Sequence, residues 1–241
     1  AIKGSRLAEQ AKVNDPIYRT LEAILKGGDS TASQIVLTEL TSFRIATPAS
    51  TALLKVAAQH AGSGTAVLSI KGLLRADVSS ESRVPDLLST ANRLLTDPNG
   101  AEVPDVLGAL TAAVEAEKTL LGPLTEGITF EAMPQPRLAK AIDEILYAAP
   151  TSALAAAWAD RNLLDPRKTG LVTPTLARLA EMYAGVETAV TPAQRVKRIT
   201  IESTEHNLLA LLSRGDAATR AAAWNATKAF VLTSRPPAPA A

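Results

Sequence analysis

Residues 191–215 read TPAQRVKRITIESTEHNLLALLSRG, and the two ends of that stretch declare a helix. Thr191-Pro192-Ala193-Gln194 is a capping box with proline at the first helical position. The Thr hydroxyl and the Gln side chain satisfy orphan amides there, and Pro has no N–H to lose. Arg214 and Gly215 close it with a cation near the carbonyl end and then a residue free to turn left-handed. Leu208, Leu209, Leu211 and Leu212 gather in the second half, and Arg195, Lys197 and Arg198 in the first. A helix built this way buries one end and offers charge at the other. Its competitor is a strand over residues 196–201, which are rich in β-branched side chains.

The same punctuation recurs outward from this stretch. Asp15-Pro16 opens a helix over residues 17–26 with Ile17, Leu21, Ile24 and Leu25 on one face, and Gly27-Gly28 stops it. A short helix over residues 6–13 precedes it. Thr31-Ala32-Ser33-Gln34 reads as a second capping box, leading into Ile35, Leu37, Leu40 and Phe43. Thr47-Pro48 starts a helix to His60, and Gly62-Ser63-Gly64 breaks it before another over residues 65–75. Pro85 sits in the first turn of the next, whose stripe is Leu87, Leu88, Ala91, Leu94 and Leu95. Asp97-Pro98-Asn99-Gly100 is a turn. After Val103 and Val106, the positions Leu107, Leu110, Val114, Glu117 and Leu121 recur at alternating helical steps, with a fault at Glu117. This best amphipath of the chain belongs at the centre of the first half's core. Later helices are expected over residues 136–148, 151–163, 174–184, 192–214 and 216–232.

The expected fold is therefore all-α: an irregular multi-helix bundle or a helical-hairpin array of about ten to eleven helices. Thr-Pro at 47–48, 173–174 and 191–192 resembles a repeat marker, although the side chains do not recur in register. Residues 122–136, GPLTEGITFEAMPQP, change character and read as a linker or assembly arm. That places an N-terminal helical half at 1–121, a C-terminal half at 137–233 and an extended tail at 234–241.

Composition narrows the function classes. With 46% hydrophobic and 20% charged residues the chain is not of the disordered kind. Zero cysteines exclude disulfides, thiolate metal sites and cysteine nucleophiles together. No apolar run approaches the length of a bilayer span, and the opening residues lack the apolar core of a secretory signal. The default expectation is an intracellular, cytoplasmic protein with no membrane partner. The net charge of +1 hides a gradient: residues 1–100 carry 11 Lys+Arg against 9 Asp+Glu, residues 101–150 carry 3 against 8, and residues 151–241 carry 11 against 7. An acidic middle and a basic last third steer head-to-tail association or present a cationic face to a polyanion.

Reactive constellations are not found. The chain has two histidines, His60 and His206, where a catalytic zinc wants about three protein ligands. Ala57 and Ser203 occupy the positions a Glu-x-x-His pair would need. Arg198 and Glu202 read as a surface pair one helical turn apart. No nucleophile elbow or phosphate-loop signature accompanies Gly62-Ser63-Gly64. No cofactor and no metal are expected, and the chain is not expected to be an enzyme. Basic residues concentrate in the last third beside most of the aromatics, the combination a single-strand groove uses. Trp158, Tyr183 and Trp224 stand at helical positions that pack, and are read as core.

The candidate nucleic-acid contacts are Arg167, Lys168, Arg195, Lys197 and Arg198. The expected partners are other copies of the chain and single-stranded RNA or DNA. The leading functional expectation is a self-associating structural protein of the coat or nucleoprotein type. A helical adaptor for a partner peptide or helix is the alternative, followed by an enzyme or small-ligand binder assembled from scattered polar residues.

Overall fold

Helical punctuation governs the computed structural model, which describes residues 15–42, 47–60, 62, 65–75, 80–149, 151–187, 208–213 and 215–234. Among the described residues there is no strand, and the protein is an all-α, multi-helix structure. The helix expected over residues 6–13, most of the 192–214 helix, the strand alternative at 196–201 and tail residues 235–241 lie outside the described residues. No helix among the described residues is long and apolar enough to cross a membrane. The chain divides into two units, Ala1–Arg137 and Leu138–Ala241.

Unit 1 holds α1 (Pro16–Lys26), α2 (Ser30–Ser42), α3 (Pro48–His60), α4 (Ala66–Arg75), α5 (Ser80–Thr96), α6 (Val103–Ala116) and α7 (Leu121–Gly127). Tight 3-10 turns at Lys118–Leu120 and Phe130–Ala132 flank α7. Its hub is α4, which packs against α2, α3, α5 and α6, rather than α6 alone. The reason is the small side chains on α4. A methyl group at Gly72 would stand 2.4 Å from Leu54 Cδ2 and 3.2 Å from Thr41 Cγ2, so glycine there lets α2 and α3 come close. Buried Ser69 returns its hydroxyl to Thr65 O at 3.0 Å and adds no unsatisfied polar group.

Several local expectations shift by a turn. Asp29, not Thr31, caps α2: its carboxylate accepts from the Thr31 and Ala32 amides at 2.9 and 3.1 Å. Gly28, with φ of 76°, supplies the left-handed residue of the α1–α2 turn. Thr47 and Ser50 cap α3 reciprocally, each side-chain oxygen accepting from the other's amide at 3.1 and 2.8 Å. The α5 helix begins before Pro85, which therefore lies inside it. Ile17 and Ile35, expected inside, are exposed, while Tyr18, Leu25, Leu37 and Leu40 are buried.

The fault at Glu117 ends α6. Glu117 is extended, and its carboxylate meets the Arg83 guanidinium at 2.8 Å. The break resets the phase, so Leu120 rather than Leu121 is fully buried.

Residues 122–136 are not a free linker or arm; they are folded into unit 1. Leu124, Ile128 and Phe130 are buried. The Asn92 amide of α5 pins the segment from both sides, donating to Gly127 O at 2.8 Å and accepting from Thr129 N–H at 3.0 Å. Gly127 lies so close to Leu88 that a methyl group there would stand 2.4 Å from Leu88 Cδ1. Glycine and proline in this stretch serve close approach and short turns. Arg137, the last residue of unit 1, donates to the carbonyls of Leu94 at 2.8 Å and Leu95 at 3.0 Å, and to that of Ala101. It satisfies orphan acceptors at the end of α5.

Unit 2 holds the rest of α8 (Gln135–Ala148), then α9 (Ala153–Trp158), a π-helical turn at Ala159–Leu163, α10 (Thr169–Glu187), helical residues 208–213 and α11 (Ala217–Ser234). Ser152 caps α9 through the Ala155 amide at 3.2 Å, and Asp216 caps α11 through the Thr219 amide at 2.7 Å. The α10 helix starts at Thr169, so Thr173-Pro174 does not mark a helix start; Pro174 lies inside. The carbonyl left without its bond would be that of Gly170, an exposed position where water serves. Thr-Pro begins a helix at 47–48 but not at 173–174, and the pair at 191–192 lies outside the described residues.

The buried side chains of unit 2 include Trp158, which is 1% exposed, and Leu154, Leu163, Leu176, Leu179 and Leu211. The α10 and α11 helices pack along each other. The inward stripe of α11 is Thr219, Ala223 and Ala226, whose small side chains bring it close to its neighbour. Trp224, expected in the core, is turned out and 59% exposed; Leu209 is likewise exposed.

Candidate functional site

Of the five basic residues expected to meet phosphate, two fall within the described residues, and both serve the turn leading into α10. The π turn ends with Leu164 N–H on Ala159 O at 3.0 Å and places Asn162 inside. The chain then folds back on Asp165, whose backbone carbonyl accepts from Lys168 N–H at 2.8 Å. Asp165 carboxylate oxygens accept from the Arg167 backbone N–H at 3.0 Å and from its guanidinium, Nε at 3.0 Å and Nη2 at 2.7 Å. The Asp165 side chain is 9% exposed and that of Arg167 is 88% exposed, so the fork lies over the carboxylate from the solvent side. Hydrogen bonding to Arg167 holds the Asp165 carboxyl below the usual carboxylate range, against the opposing effect of its burial. The Lys168 ammonium donates to Asn162 Oδ1 at 2.7 Å. Arg167 and Lys168 thus bind the π turn to the start of α10. Arg195, Lys197 and Arg198 lie outside the described residues, so the structure brings together only the first two members of the expected patch.

A second cationic feature was not anticipated. The outward face of α11 carries Arg220, Trp224 and Lys228 at successive steps of four, all exposed. The helix contains no Asp or Glu. Arg220 Nη1 donates to Gly215 O at 2.8 Å, fixing one end of the row. Asp216, four residues before Arg220, caps the helix; the Thr219 amide holds its carboxyl below the usual range, and the Arg220 charge adds to that effect. The signal was present in the sequence as an acid-free helix with cations four residues either side of an aromatic. Assigning Trp224 to the core concealed it.

Elsewhere in unit 2, Arg178 of α10 joins Asp143 of α8 to Glu181 of its own helix. In unit 1, Asp105, Glu115 and Glu126 are exposed. Unit 1 carries 13 Lys+Arg against 15 Asp+Glu, and unit 2 carries 12 against 9, giving −2 and +3. His60 is exposed at the end of α3, and His206 lies outside the described residues. Among the described residues no three His, Asp or Glu side chains are grouped to hold a metal ion.

No protein-family model, curated protein sequence or solved structure matches the chain.

Proposed function

We propose that this chain is a non-enzymatic structural subunit that self-associates head to tail, the acidic unit of one copy meeting the basic unit of the next, and whose basic last third contacts nucleic acid. The observation that carries the reading is the division of charge between two separately clustered units, −2 on one and +3 on the other. Two units of opposite charge in one chain favour heterologous contacts, which close into rings or run on as filaments. Exposed Ile17 and Ile35 on unit 1, and Tyr147 and Leu209 on unit 2, supply apolar area for such contacts. Single apolar side chains of this kind are common on monomers, so the charge division bears the weight.

Light scattering across protein concentration tests it. At low salt the mass rises above the 25.1 kDa of one chain as concentration rises. It falls back in roughly 0.5 M salt, where the screening length drops below about 5 Å. A constant single-chain mass at every concentration and at low salt overturns the assembly reading. For the nucleic-acid contact, the test is the salt-dependent binding of single-stranded RNA by the protein and by its Arg195/Lys197/Arg198 triple alanine variant. Binding that ignores salt, or a triple variant that binds as well, removes that patch.

A further inference from the structure

We infer that the outward face of α11 is a stacking platform for single-stranded nucleic acid, with an unpaired base on the Trp224 indole and the flanking phosphates on Arg220 and Lys228. This rests on the reading that the last third contacts nucleic acid, and it adds a site none of the five expected cations provides.

Three features of the helix carry it. First, Trp224 is exposed on a helix whose core contacts are made by Thr219, Ala223 and Ala226, so the indole is not part of the inward stripe. Second, steps of four residues set Arg220 and Lys228 about 6 Å to either side along the axis. Arg220 stands one turn N-terminal to the ring, on the side toward which a helical side chain leans, and its neighbour Ala221 is small. Third, the face presents two exposed cations on a helix that has no acid of its own; Asp216, the cap before it, offsets part of the Arg220 charge one turn away. The chemistry that satisfies an aromatic face and two cations together is a π-system carried on a polyanion.

Competing occupants fit less well. A membrane-surface helix sinks a whole apolar face into the headgroup boundary, but the buried stripe Thr219, Ala223 and Ala226 of α11 is already packed within unit 2. A duplex keeps its bases stacked on one another and offers the indole nothing. An acidic peptide meets the two cations and leaves the indole unused. Stacking on an aromatic is sequence-tolerant, so the site takes a single strand with little base preference.

Tryptophan fluorescence with a short oligo-uridylate is the test, run at a protein concentration where light scattering gives a single-chain mass. Of the two tryptophans, Trp158 is buried and Trp224 exposed, so quenching on binding reports Trp224. The expected results are quenching of the wild-type protein, an affinity loss of about tenfold or more in Trp224→Ala, and retention of most affinity in Trp224→Phe. The Arg220→Gln/Lys228→Gln double variant is expected to reduce the slope of log affinity against log salt by roughly 1.4, two single-strand phosphate contacts. Circular dichroism matched to wild type shows that each variant is folded.

Unchanged binding by Trp224→Ala overturns the platform. So does equal competition by a duplex or by polyglutamate, and so does a spectral response to phosphatidylserine vesicles without one to the oligonucleotide. If the Arg195/Lys197/Arg198 triple alanine abolishes binding while Trp224→Ala retains it, this site falls and nucleic-acid contact stands. If the wild-type protein does not bind the oligonucleotide, both fall.

Discussion

Replacing Phe130 with alanine tests directly whether residues 122–136 are an arm or part of the body of unit 1. The ring is 0% exposed, and its segment is held by two hydrogen bonds to Asn92 and by contact of Gly127 with Leu88. Moving a phenylalanine side chain out of water contributes about 1.5–3 kcal/mol, and truncation adds the cost of the cavity left behind. Buried Phe→Ala substitutions accordingly cost about 3–5 kcal/mol. At roughly 3 °C per kcal/mol for a unit of this size, the melting midpoint should drop by about 10–15 °C. The assay is helical circular dichroism against temperature and urea. Both tryptophans lie in unit 2, so their fluorescence followed in parallel reports that unit. Phe130→Leu, which keeps most of the volume, should recover most of the loss. If the segment were a solvated arm, Phe130→Ala would be neutral. A change below about 1 kcal/mol, within the range of ordinary surface substitutions, refutes the packing described here.

Two further outcomes follow from particular contacts. A methyl group at Gly100 would stand 2.3 Å from the Leu94 carbonyl oxygen, which is backbone and cannot rotate away, whereas one at Gly108 meets nothing within 4 Å. Gly100→Ala should therefore destabilise by about 2 kcal/mol or more, and Gly108→Ala, exposed in the middle of α6, should stabilise by roughly 0.5–1 kcal/mol in urea titrations; equal effects would contradict both geometries. The depressed Asp165 carboxyl gives a sign for acid dependence. Its contribution is complete above the unfolded carboxylate pKa, near about 4, and is lost as pH falls through the lower folded value. Asp165→Asn should lower the melting temperature at neutral pH and flatten its decline in acid, and two parallel melting-temperature curves would show that the Arg167 fork contributes nothing.

Some misreadings were local and still resolvable in principle. Asp29 outcompeted Thr31 for the α2 cap because a carboxylate two residues earlier reached two amides at once. The Asp165–Arg167 fork spans two residues and was equally available to a sequence reader. The sequence shows the basic pair Arg167-Lys168 but not that both side chains hold the turn before α10, because a charge run does not reveal the partners of its charges. The sequence places Pro85 in the first turn of its helix and Pro174 at the start of another; each in fact stands beyond the first turn.

What the residues determined unaided were the interactions that close within a few positions of themselves. Pro16 in the first turn of α1, Thr47-Pro48 at the start of α3 and the Asp97–Gly100 turn each act within one turn of chain, so no distant partner has to be known. The tertiary structure decided everything that turned on a neighbour far along the chain. It put Phe130 inside because Asn92 and Leu88 of α5 hold its segment down. It made α4 the hub because Gly72 allows close approach. It left Trp224 outside because α11 turns an alanine stripe, not the indole, toward the rest of unit 2. Burial is a property of pairs of surfaces, and one strand of sequence carries only one member of each pair.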